Sequence, residues 1–198
     1  MMANPNNVST RQTLEARCKN SRSNLLLVVA FTVINVVLLI TNSNTYFLFS
    51  AYIPYAIADF GMLFCGKYPA EYYVGELAGT DFLPSSAFGM FVAIAAVVVC
   101  LYLLCWIFSK KNRMGWLIFA LVIFVIDTLG MLAFLGFDLS NIVDMIFHAW
   151  VIVSLVMGII AAAKLKKLPE EEPVVSEVGQ GEEIVAETEN TSLDENQQ

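Results

Sequence analysis

The sequence predicts an all-α integral membrane protein with four transmembrane helices, a re-entrant or interfacial helix after the first, and a disordered acidic C-terminal tail. Three observations support this class. Hydrophobic residues make up 58% of the 198 residues, and the mean hydropathy is +0.67. Long blocks carry almost no charge, whereas a soluble domain keeps a mixed, charged surface. The acidic residues, finally, are concentrated at the C-terminus.

Four apolar segments have the length of membrane spans. A hydrocarbon core of about 30 Å is crossed by about 20 helical residues that rise about 1.5 Å each. The predicted spans are residues 23–41, 86–108, 115–135 and 142–163. Basic residues before the first apolar run are typical of a signal peptide, but the run ends in TNSNT without a small-x-small cleavage site. We therefore expect the first helix to be retained.

The polar regions divide the chain into three parts. We expect residues 1–22 to form a flexible basic arm with a short helix at 13–19. Residues 23–167 are expected to form the membrane domain. Residues 168–198 hold ten of the 18 acidic residues and no Lys or Arg, so the rest of the chain has a net charge of +3. Because this tail is too poor in apolar residues to build a core, we expect it to be disordered.

Basic residues near the span ends predict the orientation. Lys and Arg accumulate on the cytoplasmic side of membrane proteins. Here they lie in the arm, in the connection at 109–113 and at 164–167, whereas the connections at 67–85 and 136–141 carry a net negative charge. This pattern predicts a multi-pass protein of the plasma membrane with both termini in the cytoplasm.

Residues 46–66 are the ambiguous segment. Their length permits a crossing, but a crossing would place one of the basic groups outside. Asp59 near the centre of a span would cost about 2.5–3.5 kcal/mol, and Pro54 would remove a helix hydrogen bond. Tyrosines at 46, 52 and 55 are typical of the headgroup boundary. We predict a re-entrant or interfacial element on the outer face, with a true span as the alternative.

Polar residues within the apolar segments are the candidate functional residues, because such groups are costly in a membrane. They are Asn35, Asp59, Asp127, Asp144 and His148. Asp144 and His148 are four residues apart and share a helix face, so the carboxylate is expected to contact the imidazole. Asp127 on the neighbouring helix would complete a cluster in the outer half of the membrane.

Three interpretations of this cluster stay open. The polar groups fix helix packing, or they carry a proton or ligand, since imidazole titrates near neutral pH, or they bind a metal, which no ligand spacing enforces. We expect no resident metal and no cofactor, and we assign no catalytic residue. A stripe of small residues on the last helix, Ser154, Gly158 and Ala162, predicts close helix packing.

Motifs of enzymes and of nucleic-acid binding are missing from the sequence. It contains no GxSxG, HExxH or phosphate-binding GxxxxGK[ST] motif. Its four cysteines form no CxxC pair. The basic clusters lie at membrane borders, where anionic lipid explains them, so no nucleic-acid partner is expected.

Two pairs of segments resemble known membrane proteins. RSNLLLVVAFTVINVVLLI with TYFLFSAYIPY, and IVDMIFHAW with AAKLKKLPEE, resemble an uncharacterised group of small bacterial multi-pass proteins. This resemblance implies a membrane location and no specific activity. A first helix followed by an outer loop that dips into the membrane is also similar to rhomboid proteases, but their Gly-x-Ser-Gly motif is missing.

The expected function is that of a non-enzymatic accessory or scaffold protein in the lipid bilayer. Residues 169–198 would recruit a basic cytoplasmic protein partner. One alternative is a small transporter or sensor that uses Asp127, Asp144 and His148 in an outward-facing polar pocket. A further alternative, which the sequence supports least, is an intramembrane or metal-assisted enzyme.

Overall fold

A computed structural model describes residues 5–43, 45–79, 81–110 and 113–168; the expected acidic tail from residue 169 onward lies outside them. The described residues are helical and contain no strand. Their α-helices are α1 (Pro5–Ile40), α2 (Tyr52–Phe64), α3 (Ser85–Phe108), α4 (Met114–Leu135) and α5 (Ile142–Leu165). All of these except α2 are long and apolar enough to cross a membrane. The predicted all-α class with four apolar helices is confirmed.

The first helix is longer than the sequence suggested. α1 has 36 residues, which is about 54 Å at about 1.5 Å per residue. Residues 5–22, where we expected a flexible arm with a short helix at 13–19, are helical throughout and belong to this helix. Residues buried on its packed face recur every three or four positions: Leu14, Cys18, Ser21, Leu25, Val28, Thr32, Asn35 and Leu39. Packing along this whole stripe keeps the polar arm helical.

The packing partner along the first part of this stripe is α5, which runs antiparallel to α1. The Cys18 thiol lies 3.5 Å from the Gly158 carbonyl oxygen, and Asn24 Nδ2 donates to Ser154 Oγ at 2.7 Å. A Cβ on Gly158 would lie only 2.5 Å from Ser21 Cβ. Small residues thus permit the close approach. The start of α1 and the end of α5 lie at the same end of the bundle.

At its other end α1 stops in a Schellman motif. Asn42 has a φ of 54°, a left-handed conformation that Asn tolerates better than most residues. Its N–H donates to the Leu39 carbonyl, and the Ser43 N–H donates to the Leu38 carbonyl, both at 2.9 Å. This turn directs the chain back towards α1.

The segment between α1 and α3 begins and finishes at this same end of the bundle. Asn42 Nδ2 donates to the Lys67 carbonyl at 3.3 Å, and Lys67 Nζ donates to Ser85 Oγ at 3.1 Å. The Leu83 N–H donates to the Phe64 carbonyl at 2.9 Å. α2, with 13 residues, is about 20 Å long and therefore shorter than a hydrocarbon core of about 30 Å.

α2 packs into the bundle through small residues. A Cβ on Gly61 would lie 2.6 Å from Phe91 Cβ of α3, and a Cβ on Gly130 of α4 would lie 3.3 Å from Ile53 Cγ1. Ala58 and Met62 are buried in a cluster with Leu39 of α1 and Ala95 of α3. The short helix therefore contacts α1, α3 and α4 from within the bundle.

Candidate functional site

The loop that joins α1 to α2, residues 45–51, carries non-helical backbone into the interior of the protein. Ser50 and Ala51 are 1% and 0% exposed. Non-helical backbone does not satisfy its own amide groups, and a buried donor left unpaired costs about 1–3 kcal/mol. The α1–α2 loop therefore needs hydrogen-bond partners from the neighbouring helices.

Asn35 on α1 supplies the first of these partners. Its Oδ1 accepts a hydrogen bond from the Phe47 N–H at 2.8 Å. Its Nδ2 donates to the Phe47 carbonyl at 2.6 Å and to Ser50 Oγ at 2.8 Å. An amide side chain has both a donor and an acceptor, so it pairs with both backbone groups of one residue. Asn35 is 1% exposed, which makes it a fixed attachment point for the loop.

Thr32, one helical turn before Asn35, is the second hydrogen-bond partner of the α1–α2 loop. Its Oγ1 accepts a hydrogen bond from the Ala51 N–H at 2.8 Å and donates to the Val28 carbonyl of its own helix at 2.7 Å. Because the hydroxyl proton is used within α1, the oxygen is oriented to accept from the loop. Thr32 and Asn35 together bind this loop at Phe47, Ser50 and Ala51.

Asp127 on α4 binds the beginning of α2. Its Oδ2 accepts from the Tyr52 N–H at 2.9 Å, and its Oδ1 accepts from the Ile53 N–H at 2.8 Å. These amides belong to the first turn of α2, where helix N–H groups have no intrahelical partner. The next residue is Pro54, which has no N–H to satisfy and fits a first turn. A carboxylate here also interacts favourably with the helix dipole.

His148 on α5 lies against the same carboxylate. Its Nδ1 donates to the Asp144 backbone carbonyl at 2.8 Å, since a carbonyl only accepts. Its Nε2 lies 3.4 Å from Asp127 Oδ2, and the ring stacks on Phe124 with centroids 5.1 Å apart. Because both facing atoms are acceptors when unprotonated, this contact is attractive when one proton lies between them. His148 Nε2 nevertheless makes no hydrogen bond with any residue that the structure describes, so the imidazole and the carboxylate are close neighbours without a hydrogen bond between them.

The structure brings together some of the candidate residues and separates others. Asp127 and His148 are adjacent, and Asn35 acts on the α1–α2 loop beside them. Asp59 lies apart, where its carboxylate accepts a hydrogen bond from the Tyr68 hydroxyl. The expected contact between the Asp144 carboxylate and the imidazole is replaced by the Asp144 carbonyl, because a carbonyl points along the helix axis towards the residue four positions later.

The outward-facing pocket expected around the Asp–His cluster is closed in this structure. Asp127 and His148 are 0% and 1% exposed, and the first turn of α2 lies over Asp127. Within the described ranges, no three His, Cys, Asp or Glu residues are close enough to hold a metal ion. Both nitrogens of the chain's single histidine face oxygens of the protein itself.

The stripe of small residues lies where α5 packs most closely. Ser154, Gly158 and Ala162 are buried. Ser154 accepts the hydrogen bond from Asn24, and Gly158 faces Ser21 and Cys18 of α1. Ser154 and Gly158 therefore belong to the interface between α1 and α5, and Ala162 is buried in the core cluster that includes Leu14 and Cys18.

Two participants, Thr32 and Ser50, were missed from the sequence. Thr32 lies three positions before Asn35 on the buried stripe of α1, so its location on one face with Asn35 was a readable signal. Ser50 gave no such signal, because it belongs to the non-helical loop. Its hydroxyl bonds Asn35 and Tyr46 only once the loop has folded against α1.

Four tyrosines outside the four long helices have raised pKa values, among them Tyr46 and Tyr68. Burial raises the pKa of Tyr46 to about 12, although its hydrogen bond with Ser50 acts in the opposite direction. Burial also raises the pKa of Tyr68. The carboxylate of Asp59, which accepts a hydrogen bond from the Tyr68 hydroxyl, raises this pKa further. Both phenols are therefore neutral at physiological pH.

The chain matches no family model, no curated protein sequence and no solved structure in the comparisons made with each. The resemblance to small bacterial multi-pass proteins stays an expectation. What can be argued about function comes from the geometry of the chain itself.

Proposed function

We propose that this chain is a multi-pass protein of the plasma membrane that acts as a non-enzymatic accessory or scaffold protein. One observation carries the proposal: the polar side chains inside the apolar helices bind the chain's own backbone. Thr32 accepts a hydrogen bond from the Ala51 N–H, and Asn35 accepts one from the Phe47 N–H. Asp127 accepts hydrogen bonds from the first two amides of α2. Polar side chains that are hydrogen-bonded to the backbone in this way stabilise a structure rather than take part in a reaction.

The segment that they support is a re-entrant element. Non-helical backbone at membrane depth is tolerated only where protein covers it, and Ser50 and Ala51, the buried end of the α1–α2 loop, meet that condition. The hydrogen bond between Asn42 and Lys67 joins the two ends of the segment. A helix of 13 residues is too short to cross, whereas it suffices to return to the side from which the loop came.

Both termini of the protein lie in the cytoplasm. The antiparallel packing of α1 and α5 brings Arg17 and Lys19 to the same end of the bundle as Lys164. The connection between α3 and α4, which contains Lys110 and Arg113, also lies at this end. The positive-inside rule then places this end in the cytoplasm and the α1–α2 loop at the outer face.

Single-cysteine labelling tests the re-entry and the orientation together. In a background without the four native cysteines, Thr41→Cys and Val74→Cys lie on either side of the segment, and Gln12→Cys lies in the arm. We expect an impermeant thiol reagent to label positions 41 and 74 in sealed cells and position 12 only after permeabilisation. Labelling of 41 and 74 from opposite sides would show that the segment crosses.

The scaffold role is tested through the acidic tail, which provides the proposed site for a basic protein partner. Deletion of residues 169–198 should abolish co-purification of that partner from crosslinked membranes without changing the melting temperature of the membrane domain. A matched variant that keeps the tail but changes its glutamates to glutamine separates charge from length. Unchanged co-purification after the deletion would contradict the scaffold proposal.

A second candidate function, a proton-linked transporter or sensor, is favoured by the contact of His148 Nε2 with Asp127 Oδ2 at 3.4 Å. Transfer of a proton onto Asp127 would weaken an acceptor of the α2 amides and so loosen the re-entrant element. If Asp127→Asn and His148→Gln abolish pH-dependent proton uptake by proteoliposomes while the protein stays folded, this candidate replaces the first. If both only lower the melting temperature, the cluster is structural.

A further inference from the structure

A cavity of about 200 Å³ opens at the end of the bundle where α1 stops. Its wall includes four tyrosines, Tyr46, Tyr55, Tyr68 and Tyr72, together with polar residues of the turn after α1. The tyrosines come from three parts of the chain, namely the α1–α2 loop, α2 and the segment before α3. The re-entrant path of the chain is what assembles them. We call this space the tyrosine cavity.

The four rings form two pairs with different geometry. Tyr46 and Tyr55 meet edge to face, with centroids 5.2 Å apart and an interplanar angle of 80°. Tyr68 and Tyr72 stack at 4.8 Å and 18°. Four aromatic rings therefore lie around one space, and the π-electron density of such rings attracts a cation that lies over a ring face within about 6 Å of its centroid.

The charges around the cavity have the sign that favours a cation. Asp59 accepts the hydrogen bond of the Tyr68 hydroxyl, which places a negative charge at the hydroxyl end of this side chain, and this hydrogen bond increases the electron density of the ring. Burial is the main cause of the raised pKa of the Tyr46 phenol, and the charges of Asp144 and Asp127 raise it further. The neighbouring Lys67 directs its ammonium group to Ser85 instead.

We propose that the tyrosine cavity binds the quaternary ammonium group of a choline-type ligand. Such a group has no N–H to donate, so aromatic walls satisfy it better than they would a primary amine, and cages of aromatic rings are suited to it. The volume lies below the roughly 300–1,000 Å³ of pockets for drug-sized ligands, and therefore suits a headgroup. This inference goes beyond the proposed function and does not depend on the sidedness of the protein.

Two sources offer this chemistry, a free quaternary amine and the headgroup of a phosphatidylcholine. The direct experiment titrates choline into the full-length protein, purified in a maltoside detergent, by calorimetry. The matched control ligand is 3,3-dimethylbutan-1-ol, which has the shape of choline without its charge. Because a cation–π cage discriminates by charge, we expect choline to bind about tenfold more tightly than the alcohol, or better.

Variants assign the binding to the cavity. Tyr72 is 54% exposed, so Tyr72→Leu should leave the fold intact while it weakens choline binding about tenfold; Tyr55→Leu is the second test. Tyr72→Phe keeps the ring and should stay within about twofold of the parent. Phe137→Leu, an 82% exposed aromatic residue outside the cavity, is the matched control and should bind choline as the parent does.

The two sources are separated with short-chain lipids in the same detergent. Binding of phosphatidylcholine more tightly than choline, with no binding of phosphatidylglycerol of equal chain length, assigns the site to a lipid headgroup. Binding of choline with equal or higher affinity assigns it to a free amine. Equal affinity for choline and its neutral analogue, unchanged affinity in both leucine variants, or no binding of choline and phosphatidylcholine at millimolar concentrations would each overturn the proposal.

Discussion

The two ends of α1 are held in the protein by different kinds of interaction. Near its start, Cys18 and Ser21 pack against Gly158 at distances that only small residues permit. Near its end, Thr32 and Asn35 are equally buried but hold a loop by hydrogen bonds to its backbone. The region near the start of α1 has no space for larger side chains, whereas the region near its end supplies hydrogen-bond partners to the backbone of the α1–α2 loop.

This difference determines how each region responds to change. Packed helix faces respond to added volume, because the interior has little free space. Buried backbone amides respond to the loss of an acceptor, because each amide left unpaired loses its solvation without compensation. The following substitutions are chosen to separate these two responses.

The largest effect is expected from Asp127→Ala. It leaves the N–H groups of Tyr52 and Ile53, two half-buried residues, without the buried carboxylate that accepts their hydrogen bonds. At up to about 3 kcal/mol for each unpaired donor, we expect a loss of up to about 6 kcal/mol in the free energy of unfolding. Asp127→Asn, which keeps one acceptor oxygen, should lose about half as much. Denaturant titration in detergent micelles measures both.

The control for this prediction is Asp81→Ala, because Asp81 is exposed in the segment before α3. It should leave the unfolding free energy within about 0.5 kcal/mol of the parent. A loss in Asp127→Ala no greater than in this control would show that the α2 amides find other partners.

Gly158→Ala tests the packed region. The new Cβ would lie 2.5 Å from Ser21 Cβ, so we expect a loss of about 1–3 kcal/mol from overpacking. Gly89→Ala in α3 meets nothing within 4 Å, and should instead gain up to about 1 kcal/mol from helix propensity. Thermal unfolding of the two variants should therefore shift in opposite directions.

A second substitution identifies the contact responsible. Ser21→Gly removes the atoms that the alanine at position 158 would meet, so the double variant should recover most of the lost stability. If Ser21→Gly restores nothing, the strain caused at position 158 lies elsewhere in the bundle.

A matched pair compares hydroxyl groups from the two regions. Thr32→Val keeps the shape of the side chain but leaves the Ala51 N–H unpaired, at about 1–3 kcal/mol. Ser154→Ala removes a bond to the partly buried Asn24 side chain, which should cost about 0.5–1.5 kcal/mol. Thr32→Ser keeps the acceptor and serves as control. A greater loss in Ser154→Ala than in Thr32→Val would reverse the proposed distinction.

The smallest effect concerns Tyr46, whose pKa is raised from 10.0 to about 12. Since the folded protein holds this proton more tightly than the unfolded chain, the resulting stabilisation is complete below pH 10 and is lost as the pH rises towards 12. Spectrophotometric titration of tyrosinate should show one fewer late-ionising group in Tyr46→Phe. An unchanged high-pH titration would contradict the raised pKa.

Much of the fold could be predicted because composition and periodicity record it directly. The four apolar helices follow from hydropathy and length, since the sum of many side chains decides whether a segment enters lipid. Only a short helix at 13–19 was expected in the arm, although Leu14, Cys18, Ser21 and Leu25 continue the spacing of the buried stripe. Local polarity favoured a flexible arm there, and packing against α5 overrode it.

The polar site was predictable only as a set of candidates. Their presence within apolar segments singled out Asn35, Asp127 and His148, because such groups are rare in membranes. Their partners could not be found from the sequence, since the backbone amides of residues 47–53 are identical in kind to every other amide of the chain. Only the fold decides which of them lie beside a given side chain.

The sequence by itself therefore determined that this protein has four apolar helices, a polar interruption after the first and small residues on the last. Each of these properties belongs to single side chains or to their spacing along one helix. The tertiary structure alone decided that Asp127 receives the start of α2, that His148 turns its Nδ1 to a carbonyl and that four tyrosines surround one cavity. Those arrangements depend on distances between segments far apart in the chain, which no local pattern encodes.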